Sequence, residues 1–496
     1  MDIFAQLKEN KLVITWSIFI SILCHGFRMS SLMYSHDSLF ISQNDYLWQI
    51  NLGRFGQRVV PIFRGDIVAP YLLCCLSIIY LIVTNIIIIK IFNITNKVEM
   101  VLVCGLIITN QTITLTYASY APWVDIFTFS LLLSVLAIYF FNKGEKNNKY
   151  YIITIICIVG VLSLYQAYLF FSISLFVVLL FIDSRNGKTY KKYIIHSCVR
   201  ALIVFAIASL AYYGLWICSI YIYNVEIVNS YNGLKNLSTV FSGGGKALLL
   251  LVNTYKEYIN DLLNPTTFYV FCIKNYFQIV IKIVNIVVTV TIFVYGLKRR
   301  SIIRLLIIII FPLSVYGINI LSGGQMHLLM KAAFVWNYIT FLLILFSGQY
   351  TSKKYSIINK VAVCIISLVI YSNIVYANQA YNYKRIQEQQ TLSFITGLVT
   401  KIEQTEGYVV GETNVVFSGI PNIKFIDEFG FKNTTGFGTS AITYESILSK
   451  YLYYIINTDM VYVEADCEDI TRDMPVYPSY GSIKMVDDVI YVKLSE

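Results

Sequence analysis

Lys11-Leu-Val-Ile-Thr-Trp-Ser-Ile-Phe-Ile-Ser-Ile-Leu-Cys-His-Gly-Phe27 is an apolar run just long enough to cross a bilayer as a helix. The next stretch is polar: Arg28-Met-Ser-Ser-Leu-Met-Tyr-Ser-His-Asp-Ser-Leu39, then Asn51-Leu-Gly-Arg-Phe-Gly-Gln-Arg58 and Pro61-Ile-Phe-Arg-Gly-Asp66. A second long apolar run starts near Ala69. A loop rich in Asp and Arg therefore lies between two membrane spans.

The rest of the chain obeys the same grammar. Of 496 residues, 57% are hydrophobic and only 13% charged, about half the charge of a soluble domain. Apolar runs of span length repeat at 11–28, 69–91, 98–117, 124–141, 150–164, 167–183, 194–222, 276–296, 302–320, 331–348 and 360–377. Without period-two alternation they predict about eleven transmembrane helices and not a barrel. The 150–183 stretch overruns one crossing. A tight hairpin turning at 165–168 is preferred there to a single long tilted helix.

The formal charge of +10 is not a nucleic-acid footprint, because the basic residues lie in short clusters between apolar runs. Those clusters (Lys143, Lys146 and Lys149; Arg185, Lys188, Lys191 and Lys192; Lys298, Arg299, Arg300 and Arg304; Lys353, Lys354 and Lys360) fall on alternate loops, with Lys8 and Lys11 on the same side. The positive-inside rule makes that side cytoplasmic. Three segments then face outward: loops at about 29–68 and 223–275, and the tail. The predicted division is a transmembrane domain over 1–377 and a small α/β domain over 378–496. In the tail charges rise, and short β-like runs (408–411, 460–464, 489–493) alternate with turn residues. Nine of ten cysteines lie in or beside apolar runs, and no spacing suggests a metal site.

Asp37 has two readings: an N-cap of a short interfacial helix, or a general base at the membrane surface. His36 beside it is a supporting residue. Arg54, Arg58 and Arg64 break the charge rule that every short outer loop obeys. They either anchor to lipid headgroups or hold a phosphate diester, for which the guanidinium fork is shaped; Arg58 is foremost, and a helix over 46–58 would put 54 and 58 on one face. Asp125, at the outer end of a span after Pro122, is a site candidate or a helix cap. Asp45 and Asp66 are weaker. Tyr165 and Gln166 mark an outer turn, where the aromatic belt or stacking on a sugar ring accounts for the tyrosines. His327 and Lys331 flank a span on the outer side, facing a lipid phosphate or only headgroups. A carboxylate after the first span backed by guanidinium groups suits a membrane enzyme that handles a lipid-linked phosphate.

The chain resembles the type II O-antigen glucosyltransferase family of enterobacteria and their phages. The resemblance rests on Tyr-Ser-His-Asp-Ser-Leu (34–39), Asn-Leu-Gly-Arg-Phe (51–55), Phe-Arg-Gly-Asp-Ile-Val-Ala-Pro (63–70), Trp-Val-Asp-Ile-Phe (123–127), Leu-Tyr-Gln-Ala-Tyr (164–168) and Met-Pro-Val-Tyr-Pro-Ser-Tyr-Gly-Ser-Ile-Lys-Met (474–485), and is most specific in 34–70. It implies a GT-C-type, serotype-converting glycosyltransferase of the bacterial inner membrane, working on the periplasmic face. The implied donor is undecaprenyl-phosphate glucose and the implied acceptor the O-antigen of lipopolysaccharide. A flippase and a polyprenyl-phosphate glucosyltransferase would supply the donor. An acid in the first outer loop is the family's base, which matches Asp37. Many relatives carry two adjacent acids there; here His36-Asp37 stands in that place, leaving Asp45 and Asp125 as candidates for the second. No cofactor is implied, and a divalent cation is compatible but not required. The competing readings are an O-antigen polymerase or ligase, whose signature is one large central outer loop, and a flippase or transporter of lipid-linked sugars, which predicts charges buried mid-span and internal repeats.

Overall fold

The computed structural model describes residues 7–31, 33–34, 39, 45–65, 69–183, 190–225, 244–264, 275–297, 302–324, 326–346, 353–423, 441–443 and 445–496. These fall into two compact units. The first takes residues up to Ser30, Ile41–Tyr117 and Trp123–Asn378; the second takes Ser31–Phe40, Ala118–Pro122 and Gln379–Glu496.

The first unit is helical. Among the described residues, eight helices are long and apolar enough to cross a membrane: Lys11–Met29, Pro70–Phe92, Lys97–Ser119, Ala121–Gly144, Lys149–Asp183, Lys192–Tyr223, Ile279–Leu297 and Ile357–Glu403. Ile302–Tyr316 and Ala332–Phe346 are shorter and equally apolar. The exposed sides of these helices carry Phe19, Ile22, Leu202, Leu210 and Ile283, so they are apolar all round, as helices facing lipid must be.

The Lys149–Asp183 run is not one rod. Tyr165 is extended, and a 3-10 turn over Gln166–Tyr168 follows it. Phe141 touches both Tyr151 and Phe176, while Phe127 touches both Tyr165 and Tyr168. The chain therefore climbs along Val124–Gly144, turns at 165–168 and returns. The Lys97–Ser119 helix is also broken, at Thr109 and Asn110. The Asn110 side chain accepts from the Thr112 amide and donates to the Ala332 carbonyl, so the break is satisfied inside the bundle.

The expected outer segment over 223–275 contains a helix. Gly244–Leu263 in its middle is a 20-residue helix with Thr254, Tyr258, Asp261 and Leu262 buried on one face. Those positions recur at helical spacing, but Thr254, Tyr258 and Asp261 are polar while the exposed side carries Leu248, Leu249, Val252 and Ile259, so hydropathy points to the wrong face.

The helix Lys353–Glu403 runs 51 residues, far beyond the apolar stretch that ends near 377. Its later part belongs to the second unit, where the Tyr451 hydroxyl donates to Glu388 at 2.9 Å and the Tyr477 ring packs on Phe394. That unit holds a four-stranded sheet in the order β2-β1-β4-β3, with β1 Asn414–Ser418, β2 Val461–Tyr462, β3 Ile483–Val486 and β4 Val489–Lys493. β1 is parallel to both neighbours, and β3 pairs antiparallel with β4. The β3–β4 turn is Asp487-Asp488, both at positive φ, a geometry that matches the twist of a two-residue hairpin. The expected strand over 408–411 is irregular and turning instead, because Gly407 just before it and Gly411 at its end both lie in the left-handed region.

Candidate functional site

The segment after the first span does not form one helix over 46–58. It forms two, Asp45–Asn51 and Gly56–Arg64, with Gly53 between them at φ +80°. Arg54 therefore lies in the joint and Arg58 inside the second helix, so the two do not share a helical face.

Four hydrogen bonds fix this segment in the first unit. Trp216 Nε1 donates to the Ile50 carbonyl at 2.8 Å, and the Tyr212 hydroxyl to Gly53 at 3.0 Å. Gln166 Nε2 donates to Leu52 at 2.8 Å, and Gln57 Nε2 to Leu164 at 2.6 Å. A Cβ on Gly53 would lie 2.3 Å from the Tyr212 hydroxyl oxygen. Gly53→Ala should therefore combine left-handed strain, roughly 1–2 kcal/mol, with a clash against the anchor. We expect a lower unfolding temperature in detergent and weaker donor use. Adding Tyr212→Phe, which removes the clashing oxygen, should recover part of the loss; a Gly53→Ala protein as stable and active as wild type would show that the joint tolerates other geometries.

This anchoring brings Arg54, Tyr165 and Gln166 together. The half-buried Arg54 donates through Nε to Gln166 Oε1 at 3.3 Å, and through a terminal nitrogen to Gln49 Oε1 at 3.5 Å. Its guanidinium carbon sits 5.1 Å from the Tyr165 ring centre, in cation–π range. All these partners are neutral. Among the described residues no carboxylate balances Arg54.

Arg64 is balanced. Its Nε meets Asp125 Oδ2 at 2.7 Å, with side chains 6% and 1% exposed. Asp125 lies in the first turn of Val124–Gly144, where the helix dipole also favours a carboxylate. It does not cap that helix; Trp123 holds the cap position. Arg58 is half-buried in its helix.

A buried arginine in the first unit stands outside the site candidates that the sequence singles out. Arg28, 1% exposed at the end of Lys11–Met29, donates through Nε to the Tyr117 carbonyl at 2.7 Å. His25 stacks on the Tyr117 ring at 4.3 Å, and the Tyr117 hydroxyl donates to Ser77 at 2.7 Å. The charge rule that distinguishes Arg54, Arg58 and Arg64 applies equally to Arg28, the first residue of the same polar segment.

Lys331 lies elsewhere in this unit. Its Nζ is 2.6 Å from Asp261 Oδ2, and the Tyr316 hydroxyl donates to the same carboxylate. Around the pair stand further buried polar contacts: Gln111 to Asn373 at 3.1 Å and Tyr338 to Asn285 at 2.6 Å. They line a hollow of about 30 Å³, room for a single water. His327 serves its own backbone, its Nδ1 accepting from the Leu329 amide at 3.1 Å.

Asp45 opens the first short helix. Asp37, His36 and Asp66 lie outside the described residues. The sites of the first unit thus comprise a charge-unbalanced arginine on an aromatic and amide platform, a buried Arg–Asp pair, and a separate Lys–Asp pair.

The profile of the family described as glucosyl transferase GtrII matches residues 26–348. That span takes in Arg28, Arg54, Asp125 and Lys331 and stops short of the tail. No curated protein and no solved structure matches the chain. Covering well over half of an apolar, helical membrane protein, the match shows that the chain belongs to the GtrII glucosyl transferase family and is a membrane glycosyltransferase of O-antigen modification.

Proposed function

We propose that the chain moves glucose from undecaprenyl-phosphate glucose to the O-antigen of lipopolysaccharide on the periplasmic face of the inner membrane, with inversion at the anomeric carbon. The observation that carries this reading is Arg54. A half-buried guanidinium held by Tyr165, Gln166 and Gln49, with no carboxylate to balance it among the described residues, is preorganised for an anion supplied from outside. A phosphodiester matches its fork.

Asp37 takes the proton from an acceptor hydroxyl, whose oxygen attacks the anomeric carbon. The bond to the polyprenyl phosphate breaks, and Arg54 meets the negative charge that develops on the leaving phosphate, with Arg58 as the next cation; Arg64 and Lys331 join the clamp only by exchanging Asp125 and Asp261 for the phosphate. His36 and His327 are supporting residues. Asp125 holds Arg64, and it and Asp45 are the alternative acids. No metal is required by the scheme.

This reading keeps eleven crossings: the Lys149–Asp183 run counts twice, and the two shorter helices also cross. The transmembrane domain is 1–377 and the tail domain 378–496. The N-terminus is cytoplasmic and the tail periplasmic, in accord with the basic loops.

The experiment is donor-dependent turnover in proteoliposomes. Arg54→Lys keeps the charge and loses the fork, so the KM for lipid-linked donor should rise about tenfold, one charge-assisted hydrogen bond contributing about 1.5–3 kcal/mol. Insertion should be normal. Unchanged donor kinetics would assign Arg54 to headgroup anchoring.

A further inference from the structure

The tail lies outside the matched family region, and its sheet has an unassigned feature. β1 is flanked by β2 on one side and β4 on the other, both parallel to it. The chain leaves β1 to one side, crosses through the helix Glu445–Tyr451, and later returns to the other side. The carboxyl end of β1 is therefore the point where the strand order reverses, and crevices at such points hold ligands in open α/β sheets. A trough lies there. Two adjoining hollows of about 760 and 460 Å³ share Gly419 and Glu464 as lining residues.

The chemistry of the trough is one-sided. Glu464, Asp466 and Glu468 line it with exposed carboxylates. Asn422, Ser446 and Ser495 add an amide and hydroxyls. The Tyr462 ring, half-exposed, stacks at 5.8 Å and 27° on the buried Phe417, which holds it in place. No Lys or Arg is among the described residues that line it. The nearby Lys493 is turned away, its Nζ bonded to the Arg472 carbonyl at 3.0 Å.

An acidic lining with no cation among its described residues disfavours phosphates and other anions. Carboxylates accept strong hydrogen bonds from hydroxyl donors, a pinned aromatic ring offers an apolar face, and hydroxyls and an amide complete the set. That combination fits an uncharged polyhydroxylated ring. We propose that the trough at the carboxyl edge of this sheet is a docking site for a neutral stretch of the polysaccharide acceptor. The proposal rests on the reading of the chain as a transferase onto a glycan. It gives acceptor binding to the tail, with chemistry opposite in sign to the arginine site of the membrane unit.

The test uses the full-length protein in detergent micelles. The probe is O-polysaccharide lacking the glucose branch, released by mild acid from lipopolysaccharide of the cell that carries the protein. Its dissociation constant is measured by equilibrium dialysis, and its KM at fixed donor. Tyr462→Ala removes the platform; the double variant Glu464→Gln/Asp466→Asn alters only exposed side chains and guards against misfolding. Both should raise Kd and KM about tenfold, with kcat within about twofold, the pattern of lost ground-state binding. Transfer with Kd and KM unchanged in the double variant and in Tyr462→Ala overturns the docking site and leaves the transferase reading standing. Polysaccharide that binds wild type, binds both variants weakly and is never glucosylated supports the docking site while the transferase reading fails. Calcium binding at the trough with no polysaccharide binding by wild type also overturns the proposal.

Discussion

Replacing Asp37 by Asn should lower glucosyl transfer by about 10²–10⁴-fold, the range for removal of a positioned general base. The amide is nearly isosteric with the carboxylate but cannot take the acceptor proton, so the protein should still insert and still bind donor. The loss should therefore fall on kcat and leave the donor KM nearly unchanged. Turnover of purified Asp37→Asn protein in proteoliposomes checks this. Near-normal turnover would move the base to Asp125 or Asp45. These two differ in a testable way: Asp125 is committed to Arg64 at 2.7 Å, so Asp125→Asn should also lower stability, which a mere change of base would not do.

The second large effect is on folding. Asp261 is fully buried and accepts from both Lys331 and Tyr316. Asp261→Ala would leave the Lys331 ammonium buried without a counter-charge, a change that costs about 3–5 kcal/mol in comparable buried pairs. The unfolding temperature in detergent should fall sharply. The double variant Asp261→Leu/Lys331→Met, which removes both charges, should be much closer to wild type than either single change, because the penalty belongs to the stranded partner. If Asp261→Ala unfolds at the wild-type temperature, Lys331 has another route to solvation or to an anion, and its part in the donor clamp gains weight.

The pair also shows where the sequence is readable and where it is not. Lys331 is visible as a cation at a span end, but Asp261 is not visible as its partner. It sits on Gly244–Leu263, whose buried positions are mostly polar and whose exposed ones are mostly apolar, and no sequence spacing links 261 to 331. The turn at 165–168 is legible because two bilayer crossings cannot fit in one apolar run without a reversal. Arg54, Tyr165 and Gln166 are each legible by composition, being polar or charged at span ends. Their meeting is not, because it depends on the left-handed turn at Gly53 and on the anchors from Tyr212 and Trp216, which no sequence spacing reveals. In the tail, β4 is legible from its alternating apolar residues. β1 is not, although its burial, Val415 through Phe417, reads as a short apolar run. Such runs fit a buried parallel strand and a helix segment equally well. Arg28 escapes notice because it touches the end of an apolar span, where an arginine is easily read as an interfacial anchor.

The central claim is that sugar reaches the acceptor from a lipid phosphate. Its most direct test is label transfer in proteoliposomes containing only the purified protein and lipopolysaccharide. Radiolabelled glucose is offered either as undecaprenyl-phosphate glucose or as a nucleotide sugar. The account predicts label on the O-antigen from the lipid-linked donor alone, and linkage analysis should show one new glucose branch of inverted configuration. Label from the nucleotide sugar, or none from the lipid-linked donor under conditions where the protein is folded and inserted, would contradict it.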